Sequence, residues 1–245
     1  MLNLMKSEQY RFVRTRNYYL SGLLYILLMV GAAVTLYAFQ QSEPNFPYGN
    51  ERFFYRNVLS MMPVVFVLLF IFPLIVMGDN KNVLKNTVAY GYSRQTIYTA
   101  KLLITMAGFF LFALVLVGVS LLLGTTLLVR NVDHALTEYT RMLLNMLPLM
   151  IAGITTYYCL AAIMKKNAQL LIAYLLIYFL PHYILGYLQG RFTWAGWLHS
   201  HGPAYYLLNA YEEMGYAAWE PWAVGAVYTL VFYTLGLYLF KKEEF

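Results

Sequence analysis

Along this chain the apolar residues gather into six long blocks, at about 18–40, 58–78, 102–129, 143–164, 168–188 and 222–240, separated by shorter polar stretches. None of the blocks contains Asp, Glu, Lys or Arg. The hydrocarbon core of a bilayer is about 30 Å thick, and a helix needs roughly 20 apolar residues to cross it. Each block is long enough. The pattern predicts an all-α integral membrane protein, one transmembrane domain over 1–245 with six spans.

The polar stretches carry their own signals. Residues 1–17 read as an amphipathic elbow helix along the cytoplasmic face, with Leu2, Met5, Phe12 and Val13 near one side and Lys6, Arg14 and Asn17 on another. Pro63 and Pro73 are expected to bend the second span, and Pro148 and Pro181 the fourth and fifth. The "KKN" connection between spans four and five is so short that it makes them antiparallel neighbours. Residues 189–221 are too polar to cross and too aromatic to stay in water. Trp194, Trp197, Trp219 and Trp222 suit the headgroup layer, which predicts short external helices dipping into the outer leaflet.

The segment "GDNKNVLKNTVAYGYSRQTIYTAKLL", 78–103, is polar and basic between two apolar blocks. Val83, Leu84, Thr87 and Val88 share one face of a short helix, with Lys81, Lys85, Asn80, Asn82 and Asn86 on the rest. Gly91 can close that helix in the left-handed conformation, and Ser93 can cap the next. From Arg94 to Val129 nothing breaks the helix. At 1.5 Å per residue it is about 50 Å long, so two turns carrying Arg94 and Lys101 should project beyond the bilayer. Physically the 79–100 loop is either a handle for a cytoplasmic partner or a basic connector resting on anionic lipid.

Composition and charge narrow the function. Of 245 residues 61% are hydrophobic and 11% charged, more apolar surface than a soluble domain of this size could hide. The net charge of +6 comes mainly from Lys and Arg on one side. With the N-terminus inside, only Arg52, Arg56, Arg130, Arg141 and Arg191 fall outside. That bias places both termini in the cytoplasm and argues against nucleic-acid binding. Charge-free spans weigh against a proton or ion pump. Cys159 is the single cysteine, so neither an intrachain disulfide nor a CxxC metal site can form, and the N-terminus lacks the short apolar core and cleavage site of a signal peptide.

No phosphate-cradling glycine motif occurs, so energy for any active process must come from another subunit. His199 and His201, with Glu212, Glu213 or Asp133, are candidate metal ligands without a recognised spacing. His182 is expected to bond to backbone. The adjacent glutamates lack the arginine that follows them in intramembrane proteases. Within the spans, Tyr174 and Tyr178 share a helical face, with Thr155, Thr156 and Tyr158 on the neighbouring span. They read either as interhelical hydrogen bonding or as hydroxyls lining a substrate pathway, in which Thr155, Tyr158, Tyr174 and Tyr178 would take part.

The 78–103 segment resembles the stretch between the second and third spans of type-2 ABC transporter permeases, of the bacteriocin export or immunity kind. The positions that carry the likeness are Lys85, Asn86, Gly91, Tyr92, Ser93, Arg94, Ile97, Tyr98 and Lys101. Tyr92 stands where that family more often has a β-branched residue. The resemblance implies a coupling helix, Lys81, Asn82, Val83, Leu84, Lys85, Asn86 and Val88 with Arg94 beyond it, seated in a groove of a cytoplasmic ABC ATPase subunit. It implies that this chain is not itself an ATPase and binds no cofactor, ATP and Mg belonging to the partner. It further implies a second permease copy or related permease, membrane lipid as surroundings, a bacterial plasma membrane, and export of an amphipathic peptide or membrane-active drug. The alternatives are a metal-dependent membrane enzyme on the external face, or an immunity or sensor subunit that does not transport.

Overall fold

A computed structural model describes residues 2–43, 45–70, 72–74, 87–130, 134–164, 166–209 and 219–242. Among these the chain is helical: α1 (Leu2–Val13), α2 (Arg16–Ser42), α3 (Glu51–Ser60), α4 (Met62–Leu68), α5 (Arg94–Leu127), α6 (Ala135–Ala161), α7 (Asn167–Leu188), α8 (Thr193–Ser200), α9 (Pro203–Leu208) and α10 (Glu220–Lys242). Five of these, α2, α5, α6, α7 and α10, are long and apolar enough to cross a membrane. The bent pair begun by α3 and α4 makes a sixth if it counts as one span. The chain is a multi-pass membrane protein.

The second apolar block departs from expectation. Its helix starts earlier, at Glu51, because Asn50 caps it: the Asn50 side chain accepts from the Phe53 N–H at 2.8 Å, and Glu51 meets the positive helix end. It then stops at Met61 and restarts as α4 with Pro63 in the first turn, the two directions differing by 41°. Pro63 has no N–H to continue α3, but a first helical turn has none to lose. Pro148 and Pro181 behave differently, since α6 and α7 run through them unbroken. Pro148 instead lies against Gly225 of α10, where a Cβ would sit 2.5 Å from it.

The core is built around α6, whose residues from Ala152 to Leu160 are all buried. Its most extensive partner is α10. Apolar burial drives little association between helices in lipid, so close approach over small residues has to hold them. Gly225 against Pro148 and Gly236 against Tyr98 and the Cys159 backbone provide it. Across the "KKN" connection α6 packs on α7, as its shortness requires. By contrast α2 rests one side on α5, with Phe112 beside Gly22, and leaves Leu20, Leu23, Leu24, Leu27 and Leu28 exposed. Such a face is what lipid solvates.

At the end of α5 opposite Arg94, an isolated parallel bridge joins Asn50 to Val129. Arg52 of α3 pairs with Glu138 of α6 at 3.3 Å, and Tyr55 stacks on Tyr139 with ring centres 4.5 Å apart.

Candidate functional site

The junction leading into α5 has the local geometry its residues dictate. Helical turn 87–89 ends at Gly91, whose φ is +86°. The Gly91 N–H donates to the Val88 carbonyl at 2.9 Å and the Tyr92 N–H to the Thr87 carbonyl at 3.4 Å. Those two bonds are the Schellman closure of a helix. Two residues on, the Ser93 hydroxyl accepts from the Thr96 N–H at 3.2 Å and opens α5. Val88 and Tyr92 pack half-buried against the core. Lys81, Asn82, Val83, Leu84, Lys85 and Asn86 lie outside the described residues.

The base of α5 does not project freely. Ile97, Tyr98, Ala100 and Lys101 are all buried, gripped from three sides. On one side stands α1: Lys101 Nζ lies 3.2 Å from Glu8 Oε1, with the two side chains 2% and 3% exposed. Arg11 reaches the other Glu8 oxygen at 3.1 Å. Two turns further along α5, the Phe12 ring occupies the space a Cβ at Gly108 would need, and the Tyr18 hydroxyl donates to the Gly108 carbonyl at 3.2 Å. From α10, Gly236 receives Tyr98, Tyr233 hydrogen-bonds Thr99 at 3.1 Å, and the Lys241 carbonyl accepts from Arg94 at 2.7 Å. From α6, the Tyr158 hydroxyl meets Thr105 at 2.6 Å and the Lys101 carbonyl at 3.1 Å.

This corrects the expected inner face of α1. The inner face of α1 is Leu4, Glu8 and Phe12, while Val13 is half exposed. The signal was the i, i+4, i+8 spacing of those three residues, hidden because Glu8 and Lys101 look like ordinary topology charges. Arg94 has its guanidinium against the last turn of α10, where a cation suits the negative helix end.

The tyrosines and threonines of the core are brought together. Thr156 and Tyr178 share a hydrogen bond of 2.7 Å, and Tyr174 donates to the Phe66 carbonyl of α4 at 3.3 Å. Thr155 donates to the Ile151 carbonyl of its own helix. Thr155, Tyr158, Tyr174 and Tyr178 are fully buried, so in this conformation their hydroxyls serve helix packing and face no open cleft. The buried hydroxyls of Tyr98, Tyr55 and Tyr25, by contrast, have no hydrogen-bond partner among the described residues.

On the 189–221 stretch, α8 and α9 supply the expected short helices, and Trp194 and Trp197 are exposed. The two imidazoles of the His-x-His pair diverge. His199 stacks on His182 with ring centres 4.3 Å apart, fitting over Gly186. His201 stacks on Trp197 at 4.6 Å and bonds through Nδ1 to the Trp197 carbonyl at 2.8 Å. His182 therefore finds a ring, while its buried Nδ1 has no backbone partner among the described residues. Among the described residues no three of His, Cys, Asp and Glu converge as metal ligands. Glu212, Glu213 and Asp133 lie outside them.

No protein-family model matches the chain, and no curated protein matches it significantly.

Proposed function

We propose that this chain is the membrane-spanning subunit of an ATP-driven exporter of the ABC type, working as a dimer with itself or a related permease. Both termini and the 79–100 loop face the cytoplasm of a bacterial cell, with α1 as an elbow along the inner membrane face. A separate ATPase subunit binds ATP and Mg and docks on Lys81 to Val88. The observation that carries the reading is the Gly91–Ser93 joint. It joins the helical turn 87–89 to a 34-residue helix whose base is buried among α1, α6 and α10.

Such a helix spans about 50 Å, so a push at its base is carried along it into the membrane. Closure of the ATPase subunits moves the joint, and α5 moves the helices gripping it. A pathway between α6 and α7 then requires the Thr156–Tyr178 bond to part. Charge-free spans and exposed aromatics on α8 suit an amphipathic peptide or membrane-active drug leaving through the bilayer.

Co-expression with an ATPase subunit encoded beside it tests this. The two chains should purify together and hydrolyse ATP faster when an amphipathic peptide is present, and Val83→Asp with Leu84→Asp should abolish that stimulation. A wild-type chain that holds no ATPase, or a double variant as active as wild type, would sink the reading.

A further inference from the structure

The buried pair Glu8–Lys101 needs a reason other than stability. Taking two charges out of water costs several kcal/mol per ion, and an apolar pair of similar volume often does as well or better. What an ion pair supplies that an apolar contact lacks is a fixed register, because either partner displaced by a turn is left as an uncompensated buried charge. Here the register concerns α1 and α5, which touch at two separated places: Glu8 on Lys101, and Phe12 on Gly108. The two α5 positions are seven residues apart, about 10 Å along the axis. A polar contact at one and a close-packed ring at the other fix sliding and rotation together.

Arg11 adds a second cation to the Glu8 carboxylate, so Glu8 is the hub of the cluster. The same turns of α5 are held on other sides by α10 through Tyr98, Thr99 and Arg94, and by α6 through Tyr158. Each of those contacts lies within about three turns of the Gly91 joint.

We propose that Glu8, Lys101 and Arg11 form a clamp that makes α1 and the base of α5 one moving body, so that α1 is part of the transmission and not a passive anchor. Glu8 and Lys101 are thus positioning residues. As far as ATP-driven movement is concerned, the inference rests on the function proposed above.

The test uses the full chain with its ATPase subunit and compares Glu8→Gln, Lys101→Met, the charge swap E8K/K101E and the apolar pair E8L/K101M. The single variants should retain the ATPase subunit while the ratio of peptide-stimulated to basal hydrolysis falls at least about fivefold, the lower end for coupling between two sites. E8K/K101E should recover most of it. E8L/K101M, which packs without a register, should fold and stay uncoupled. Single variants that fold with an unchanged ratio would overturn the clamp, and so would an apolar pair as well coupled as wild type.

A second measurement covers singles that fail to fold. Spin labels at Asn3→Cys and Gln95→Cys, both exposed positions, in a Cys159→Ala background report the α1–α5 distance. The distribution should be narrow and identical in nucleotide-free and nucleotide-trapped wild type, and broad in E8L/K101M. A distance that changes with nucleotide in wild type would overturn the proposal. If the wild-type chain holds no ATPase at all, the exporter reading fails, and the label widths in the isolated chain still decide whether the clamp exists.

Discussion

Gly236 of α10 lies directly under the hydroxyl of Tyr98 on α5, with no space between them for a methyl group. The Tyr98 ring is completely buried and the Cys159 backbone closes the other side, so neither neighbour can yield cheaply. Gly236→Ala should therefore destabilise the detergent-solubilised chain by about 1–3 kcal/mol, the usual cost of overpacking. Gly31 and Gly118 have open space where a Cβ would go. Alanine there should be neutral or stabilising by up to about 1 kcal/mol from helix propensity. Thermal unfolding of the three variants side by side checks the ordering.

Gly91 presents the opposite case, in which space is free and conformation is the constraint. Nothing lies within 4 Å of its missing Cβ, yet its φ of +86° is one that side chains resist. Gly91→Ala should cost about 1–2 kcal/mol through backbone strain alone. Gly91→Asn should cost less, since asparagine tolerates that region, and Gly91→Val more. A rank order of melting temperatures Gly, Asn, Ala, Val would bear this out. Equal values for Ala and Val would show that the joint had relaxed out of the left-handed region.

The Thr156–Tyr178 bond crosses the interface between α6 and α7 entirely inside the core. A double-mutant cycle with Thr156→Val and Tyr178→Phe should return a coupling near 0.6 kcal/mol, the average for hydrogen bonds between membrane helices. If the interface must open for a substrate to pass, both single variants should also raise basal ATP turnover in the complex. Lower turnover in both would mean that the bond belongs to the open state instead.

Sidedness can be read with single cysteines in a Cys159→Ala background. Gln95→Cys at the base of α5 should react with a membrane-impermeant maleimide only after the cells are permeabilised, and Thr193→Cys at the start of α8 should react on intact cells. The reverse pattern would invert the topology drawn from the Lys and Arg distribution.

What could be read from residues alone was whatever depends on a few neighbours in the chain. The Gly91 closure and the Ser93 cap are set within five residues, and both are found where the local rules put them. The facing of Tyr178 and Thr156 followed from helical spacing and a connection too short to separate the two helices. Contacts between distant segments were beyond reach. Lys101 and Glu8 are 93 positions apart and of types that normally mark a solvated membrane edge, so their burial together depends on knowing that α1 folds back on α5. Tyr174 finds its acceptor only because α3 stops at Met61 and turns α4 toward α7, and the prolines of that block pointed to a bend without locating it.

The nesting of Tyr98 against Gly236 also bears on how the molecule is made. Because α10 is synthesised after the helices it locks, the earlier spans enter the membrane with the seat for Tyr98 still vacant and with Pro148 lacking Gly225 across from it. The bundle is thus closed by α10, and a ribosome stalled before α10 would leave behind an inserted but unlatched intermediate for membrane proteases to recognise.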